Sequence, residues 1–234
     1  MRKMTLKRLS RLFLSALLLG LGGYGLATID GFGNAGKAGG GSGSMAETRA
    51  APMAPGDRVA IFAGGCFWCM EHAMDDVAGV KSTTSGYTGG HVKNPTYAMV
   101  SSGGTGHAES VKVVYDPKVV TYAKLLDAFW HNIDPLVKDA QFCDHGTQYR
   151  SSIFYLSDEQ KKLAEASKTA LVKSGRFKLP IQTQIVKAGT FYPAEGYHQN
   201  YYLKNPIRYK YYKYACGRAQ RLEQLWGPPA KKSS

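Results

Sequence analysis

The stretch Val59-Ala60-Ile61-Phe62-Ala63-Gly64-Gly65-Cys66-Phe67-Trp68-Cys69-Met70 decides the fold. The apolar run 59–63 predicts a buried strand. The Gly64-Gly65 pair lets the backbone turn sharply. Trp68, Ala73 and Val77 then recur at helical spacing, predicting a helix over 67–77. Cys66 thus sits at a helix N-terminus, among unpaired N–H groups at the positive end of the dipole. That setting favours thiolate over thiol and makes a nucleophile. Phe67 and Trp68 beside the sulfur form an apolar wall for a small uncharged group. Taken alone, the same residues admit blander readings. A buried cysteine is commonly an inert hydrophobe. Cys66-x-x-Cys69 is also half of a zinc site, although no second close pair follows and the histidines are scattered.

Working outward, Gly79-Val80 restarts the chain as a strand toward Tyr87, and 86–106 reads as a loop rich in Gly, Asn, Pro and Ser. Residues 108–115 read as a strand closed by Asp116-Pro117. Thr121 begins a helix with Leu125, Leu126, Phe129, Trp130 and Ile133 at helical spacing, stopped by Pro135. Ser151–Leu156 is a strand, Ser157-x-x-Gln160 a capping box for a helix to Gly175, and 181–186 another strand. The order predicts an α/β (α+β) chain: a two-layer, ferredoxin-like split βαβ core with an extended C-terminal tail.

The N-terminus has a different character. Arg2, Lys3, Lys7, Arg8 and Arg11 precede a short apolar stretch, Leu12 to Ala27, interrupted by glycines. This resembles a secretory signal, with an uncleaved membrane anchor as the alternative. Residues 28–56 are a Gly/Ala/Ser linker that buries too little surface to order itself. The folded domain is expected over 57–206, a length sufficient for one real core. The implied location is the periplasm, or a membrane anchor facing outside the cytoplasm, with the cytoplasm as alternative.

The formal net charge is +13. The folded part is nearly neutral, whereas 201–234 holds eight Lys/Arg against Glu223 alone. A basic tail with Tyr201, Tyr202, Tyr209, Tyr211, Tyr212 and Tyr214 admits nucleic-acid binding. Without a nucleic-acid motif beside it, the better reading is rings packed on the body with the charges in solvent. The chain is expected to bind no nucleic acid and to be a monomer, with the N-terminal segment touching membrane during export.

Three further glycine-rich segments carry reactive residues: Gly86-Tyr87-Thr88-Gly89-Gly90 with Asn94-Pro95-Thr96-Tyr97, then Thr105-Gly106-His107-Ala108-Glu109, then Asp144-His145-Gly146-Thr147-Gln148-Tyr149-Arg150. With Gly65-Cys66-Phe67-Trp68 they resemble the A-type peptide methionine sulfoxide reductases, over about residues 58–206. The resemblance implies Cys66 as the nucleophile on the sulfoxide sulfur and Glu109 as the acid. It implies Tyr97 and Tyr149 as the phenols that bind the sulfoxide oxygen, Asp144 as a polar site residue, and Phe67 and Trp68 as the cage for the substrate methyl. It also implies the S epimer, free or protein-bound methionine sulfoxide as substrate, and a role in repairing oxidised proteins.

The chemistry suits these residue types. A sulfoxide oxygen leaves poorly until protonated, and a carboxylic acid kept neutral in a dry site supplies the proton. Attack by the cysteine leaves a sulfenic acid. Cys69, one helical turn from Cys66 and on the same face, is the expected resolving thiol. Cys216 in the tail is the alternative or a second exchange step, and Cys143 a third candidate that also reads as a buried spectator. Thioredoxin or an equivalent dithiol reductant is the implied electron donor. No metal, nucleotide or flavin site is visible. Tyr87 and His107 read as structural. A thioredoxin-like dithiol exchanger built on Cys66 and Cys69 is the competing function, but it leaves Glu109, Tyr97 and Tyr149 without work.

Overall fold

The computed structural model describes residues 53–228. The signal-like segment 1–27, nearly all of the 28–56 linker and the end of the tail lie outside the described residues. The deciding stretch folds as expected, into strand β1 (Arg58–Gly64) and helix α1 (Phe67–Asp75). There follow β2 (Val80–Thr88), α2 (Tyr97–Ser101), β3 (Ala108–Tyr115), α3 (Tyr122–Trp130), a short hairpin of β4 (Ala140–Gln141) and β5 (Asp144–His145), and β6 (Ser151–Tyr155). The chain continues through α4 (Asp158–Lys173), β7 (Gln184–Lys187), β8 (Tyr192–Pro193), α5 (Tyr201–Lys204), α6 (Pro206–Ala215) and α7 (Arg218–Trp226).

The main sheet has the order β7-β6-β1-β3-β2-β8. β1 lies inside it, antiparallel to both β3 and β6, while β6 and β7 run parallel. Alternation along the strands sorts the side chains onto two faces. Ala60, Phe62, Val111, Val113 and Ile153 join Met70 and Met74 of α1, Leu125, Leu126 and Phe129 of α3 and Ala164 of α4 in the principal core. Ile61, Ala63, Ala108 and Phe154 make a smaller cluster on the other face. Phe62 is wholly buried, its ring stacked on those of Phe129 and Tyr122. Truncating such a residue to alanine typically costs about 3–5 kcal/mol.

Local signals hold where they have a mechanism. Thr121 caps α3 by accepting from the Lys124 N–H, and Ser157 caps α4 by accepting from the Gln160 N–H. The reciprocal arm of the expected capping box is displaced: the Gln160 side chain accepts from the N–H of Leu156 and donates to the carbonyl of Val59, tying α4 to the sheet.

Two expectations are corrected. The 86–106 segment is not all loop. Gly86, Tyr87 and Thr88 stay in β2 because they pair with Ser110, Glu109 and Ala108, and Thr96 then caps α2. Nor is the tail extended. Pro206 at the first helical position suits a helix start, and Tyr209 and Tyr212, three apart, land on one face of α6. Gly217, with φ of +62°, separates α6 from α7. A boundary after residue 206 therefore cuts a helix that belongs to the folded body.

Candidate active site

The β1–α1 turn places the nucleophile. Gly65 adopts φ of +82°, and a Cβ there would collide with the side chain of Gln141. Gln141 is itself fixed, its amide paired with both the N–H and the carbonyl of Asp134. The turn leaves Cys66 as the N-cap of α1, and the N–H groups of Cys69 and Met70 point back to its carbonyl, at 3.1 and 3.3 Å. Glu109 lies at the end of the β3 row that continues as Val111 and Val113, so parity turns its carboxyl into the apolar layer. There it is 2% exposed and accepts from the N–H of Phe67 at 3.0 Å.

Cys66, Phe67, Trp68, Tyr97, Glu109, Asp144, Tyr149 and Tyr212 line one small cavity of about 60 Å³. The structure thus brings together every residue assigned to nucleophile, acid, phenols and methyl cage. Trp68 is held on three sides. Its indole N–H donates to Nδ1 of His198 at 3.0 Å, Tyr201 stacks on it at 3.8 Å, and Tyr212 meets it edge-on. Because indole is a donor only, His198 must present a bare Nδ1. Burial agrees, lowering that imidazole to about 4.

The charges are set by dryness. Burial, reinforced by Asp144 and Cys69, raises Glu109 to about 8, against the counter-pull of the Phe67 N–H. Burial also raises Tyr97 to about 12 and moves Tyr149 upward, so both phenols keep their protons. The thiolate expectation for Cys66 is corrected. Burial, then Cys69, pushes the Cys66 thiol well up, outweighing the helix end. Cys69 is held down, first by its hydrogen bond with Cys66 and then, against burial, by Arg218 and Tyr209.

Cys66 and Cys69 share one buried cluster, and both are free. Cys216 is not a free thiol. It is disulfide-bonded to Cys143, with Cα atoms 4.9 Å apart. The spectator reading of Cys143 as a buried thiol is corrected too, since its residue is exposed. Cys143, Asp144 and Cys216 form a close cluster of potential ligand atoms, but two of them are spent in that bond. Tyr87 and His107 are indeed structural: the Tyr87 hydroxyl donates to Glu195, and His107 takes the Gly90 N–H at Nδ1 and reaches the Val92 carbonyl.

The sequence match completes the picture. Residues 58–230 fit the family model of peptide methionine sulfoxide reductase. The chain belongs to that family. It is 51% identical over 175 residues to the peptide methionine sulfoxide reductase MsrA of Bacillus subtilis, covering 75% of this chain and 99% of that one. MsrA of Listeria monocytogenes is 52% identical over 167 residues, covering 71% and 94%. Among solved structures, Mxr1 of Saccharomyces cerevisiae in reduced form has a TM-score of 0.61 at 36% identity, covering 67% of this chain and 90% of that one. Methionine sulfoxide reductase A of Corynebacterium diphtheriae has 0.59 at 35%, covering 66% and 77%. The protein is an oxidoreductase that reduces methionine sulfoxide.

Several site residues escaped the sequence reading. Glu195 accepts from the N–H of Tyr97 at 2.8 Å and from the Tyr87 hydroxyl at 2.9 Å. His198 orients Trp68. Tyr212 closes the cavity from α6 and donates to Asp144. The dense Phe191–Gln199 segment, with Glu195 and His198 in it, was the available signal for the first two.

Proposed function

We propose that reduction runs by attack of Cys66 on the sulfur of a methionine S-sulfoxide, free or in a protein, with Glu109 as the proton donor. The single observation that carries this is the Phe67 N–H to Glu109 contact, which puts a buried, neutral carboxyl beside the helix-capping thiol. Tyr97 and Tyr149 bind the sulfoxide oxygen, and Phe67 and Trp68 take the methyl. As the S–S interaction grows, Glu109 delivers its proton to the oxygen and Cys66 passes its own to Cys69. The S=O bond breaks, the thioether leaves, and Cys66 carries the oxygen as a sulfenic acid. Donors aimed at the oxygen strengthen as its charge grows.

Cys69 then attacks the Cys66 sulfur. A Cys66–Cys69 disulfide forms and the oxygen departs as water. A dithiol of the thioredoxin class reduces the disulfide, becoming oxidised itself and restoring both thiols. Helical geometry supports Cys69, since residues three apart share a face at about 5–6 Å between Cβ atoms. Cys216 already has a partner.

Mass spectrometry of the protein incubated with S- and R-sulfoxide peptides tests the reading. The expected result is one methionine per chain from the S peptide and a new Cys66–Cys69 linkage. Product from the R peptide alone, or from Cys66→Ser, overturns it.

Export is proposed from the basic head and apolar run of residues 1–27. An alkaline-phosphatase fusion after Ala54 should be active outside the cytoplasm, and activity confined to the cytosol overturns it. Among the described residues no helix is long and apolar enough to cross a membrane.

A further inference from the structure

Asp144 and Tyr212 are 68 residues apart in the chain. Asp144 is in the short β4–β5 hairpin and Tyr212 on α6, yet the Tyr212 hydroxyl donates to Oδ2 of Asp144 at 2.5 Å. Tyr212 packs against the buried cluster that holds Cys66, lines the same cavity as Cys66 and Glu109, and its hydroxyl pulls the Cys66 thiol down. Tyr212 also lines the wider groove outside, a space of about 720 Å³ that includes Tyr197, Arg208 and Tyr211. It stands between the reaction cavity and solvent.

A second link runs parallel to this one. Cys143, next to Asp144, is bonded to Cys216, which lies one helical turn beyond Tyr212. The Cys216 N–H closes that turn on the Tyr212 carbonyl at 3.0 Å. Arg218 lies over the Phe142 ring at 4.3 Å and donates to the Asn132 carbonyl. The end of α6 is thus fastened to the loop that carries Asp144.

We propose that Tyr212 is a further catalytic residue, a third phenol whose hydroxyl is held by Asp144 against the Cys66 sulfur, and that the Cys143–Cys216 disulfide is what keeps it there. Tyr97 and Tyr149 serve the oxygen, whereas Tyr212 serves the nucleophile. When Cys66 gives its proton to Cys69, the negative sulfur sits in a dry cavity, and a phenolic O–H is a stronger donor to it than the Cys69 thiol. Burial pushes the Asp144 carboxyl up, while the Tyr212 hydroxyl and Arg218 pull it down. As the sulfur becomes negative it is the stronger acceptor, and the phenolic proton that Asp144 holds in the resting site turns to it.

The inference rests on Cys66 being the nucleophile. The test therefore runs the full chain as wild type, Cys66→Ser, Tyr212→Phe, Cys216→Ser and Tyr214→Phe. Two quantities are read: the single-turnover rate on an S-sulfoxide peptide, and the pH dependence of Cys66 alkylation, followed by mass on the Cys66 peptide. Tyr214 is 86% exposed and serves as a control expected to match wild type. Losing a hydrogen bond to a charged group predicts a roughly tenfold or greater drop in single-turnover rate for Tyr212→Phe, with Cys66 alkylation moved to higher pH. Cys216→Ser should move both in the same direction by a smaller step. A folded Tyr212→Phe protein with wild-type rate and alkylation profile overturns the catalytic role. An unchanged Cys216→Ser protein overturns the part given to the disulfide. Methionine formed by Cys66→Ser would instead sink the underlying mechanism, which keeps the two failures apart.

Discussion

The backbone N–H of Phe67 and the carboxyl of Glu109 meet at 3.0 Å across a gap of 42 residues. The contact locks the first residue of α1 to the first inward position of β3. It fixes the acid relative to the adjacent Cys66 more firmly than either strand or helix does alone.

Glu109→Gln keeps the acceptor for Phe67 and removes the proton. Losing a donor aimed at developing charge costs about 3–4 kcal/mol, so single-turnover reduction should fall about a hundredfold or more. Glu109 titrates near 8 and must be protonated to act. The wild-type rate should therefore decline as pH rises through about 8, and this limb should vanish in the variant. Stopped-flow rates across pH check both statements.

Cys69→Ser should still release one thioether per chain and then stall, with Cys66 as a sulfenic acid. Trapping with dimedone and a collapse of dithiol-driven turnover are the readouts. Normal turnover by Cys69→Ser together with failure of Cys216→Ser would hand the resolving role to the tail.

Glu195→Ala removes the shared acceptor of the Tyr97 N–H and the Tyr87 hydroxyl. The Tyr97 ring loses its backbone anchor while Cys66 and Glu109 are untouched. KM for a sulfoxide peptide should rise, with the Cys66 alkylation profile unchanged. A rate defect equal to that of Glu109→Gln would contradict a positioning role.

Glu71 and Glu109 give the fold an unusual pH dependence. Glu71 is fully buried, accepts from the Asn200 N–H at 3.0 Å, and is raised to about 7 by burial. Both carboxyls are neutral in the folded chain over a range where the unfolded chain has ionised them. The folded state then binds more protons, so stability falls as pH rises from about 4.5 toward 8. Glu71→Gln and Glu109→Gln should each flatten that slope and raise Tm at pH 8, an effect of a few kcal/mol. Melting curves between pH 5 and 8 decide it, and a wild-type slope in both variants counts against buried neutral carboxyls.

The residues legible in advance share a local cause. Cys66 was readable because a strand, two glycines and a helix follow one another without a gap. Glu109 was readable from its motif, and its inward direction from strand parity. Tyr212 was not. Six tail tyrosines look alike in sequence, and only the direction of α6 brings Tyr209 toward Cys69 and Tyr212 toward Cys66. The Cys143–Cys216 bond was hidden for the same reason, being set by tertiary placement across 73 residues. The thiolate expectation failed because a dipole can be read from sequence whereas desolvation cannot.

The cavity above Cys66 offers about 60 Å³, far below the roughly 300–1,000 Å³ of ordinary ligand sites. Only the tip of a side chain fits, so an oxidised residue must protrude to be reached. Lesions packed inside a folded client are invisible until the client opens. For a protein substrate the narrow cavity thus selects by exposure, suiting sulfoxides on surfaces and loosened chains.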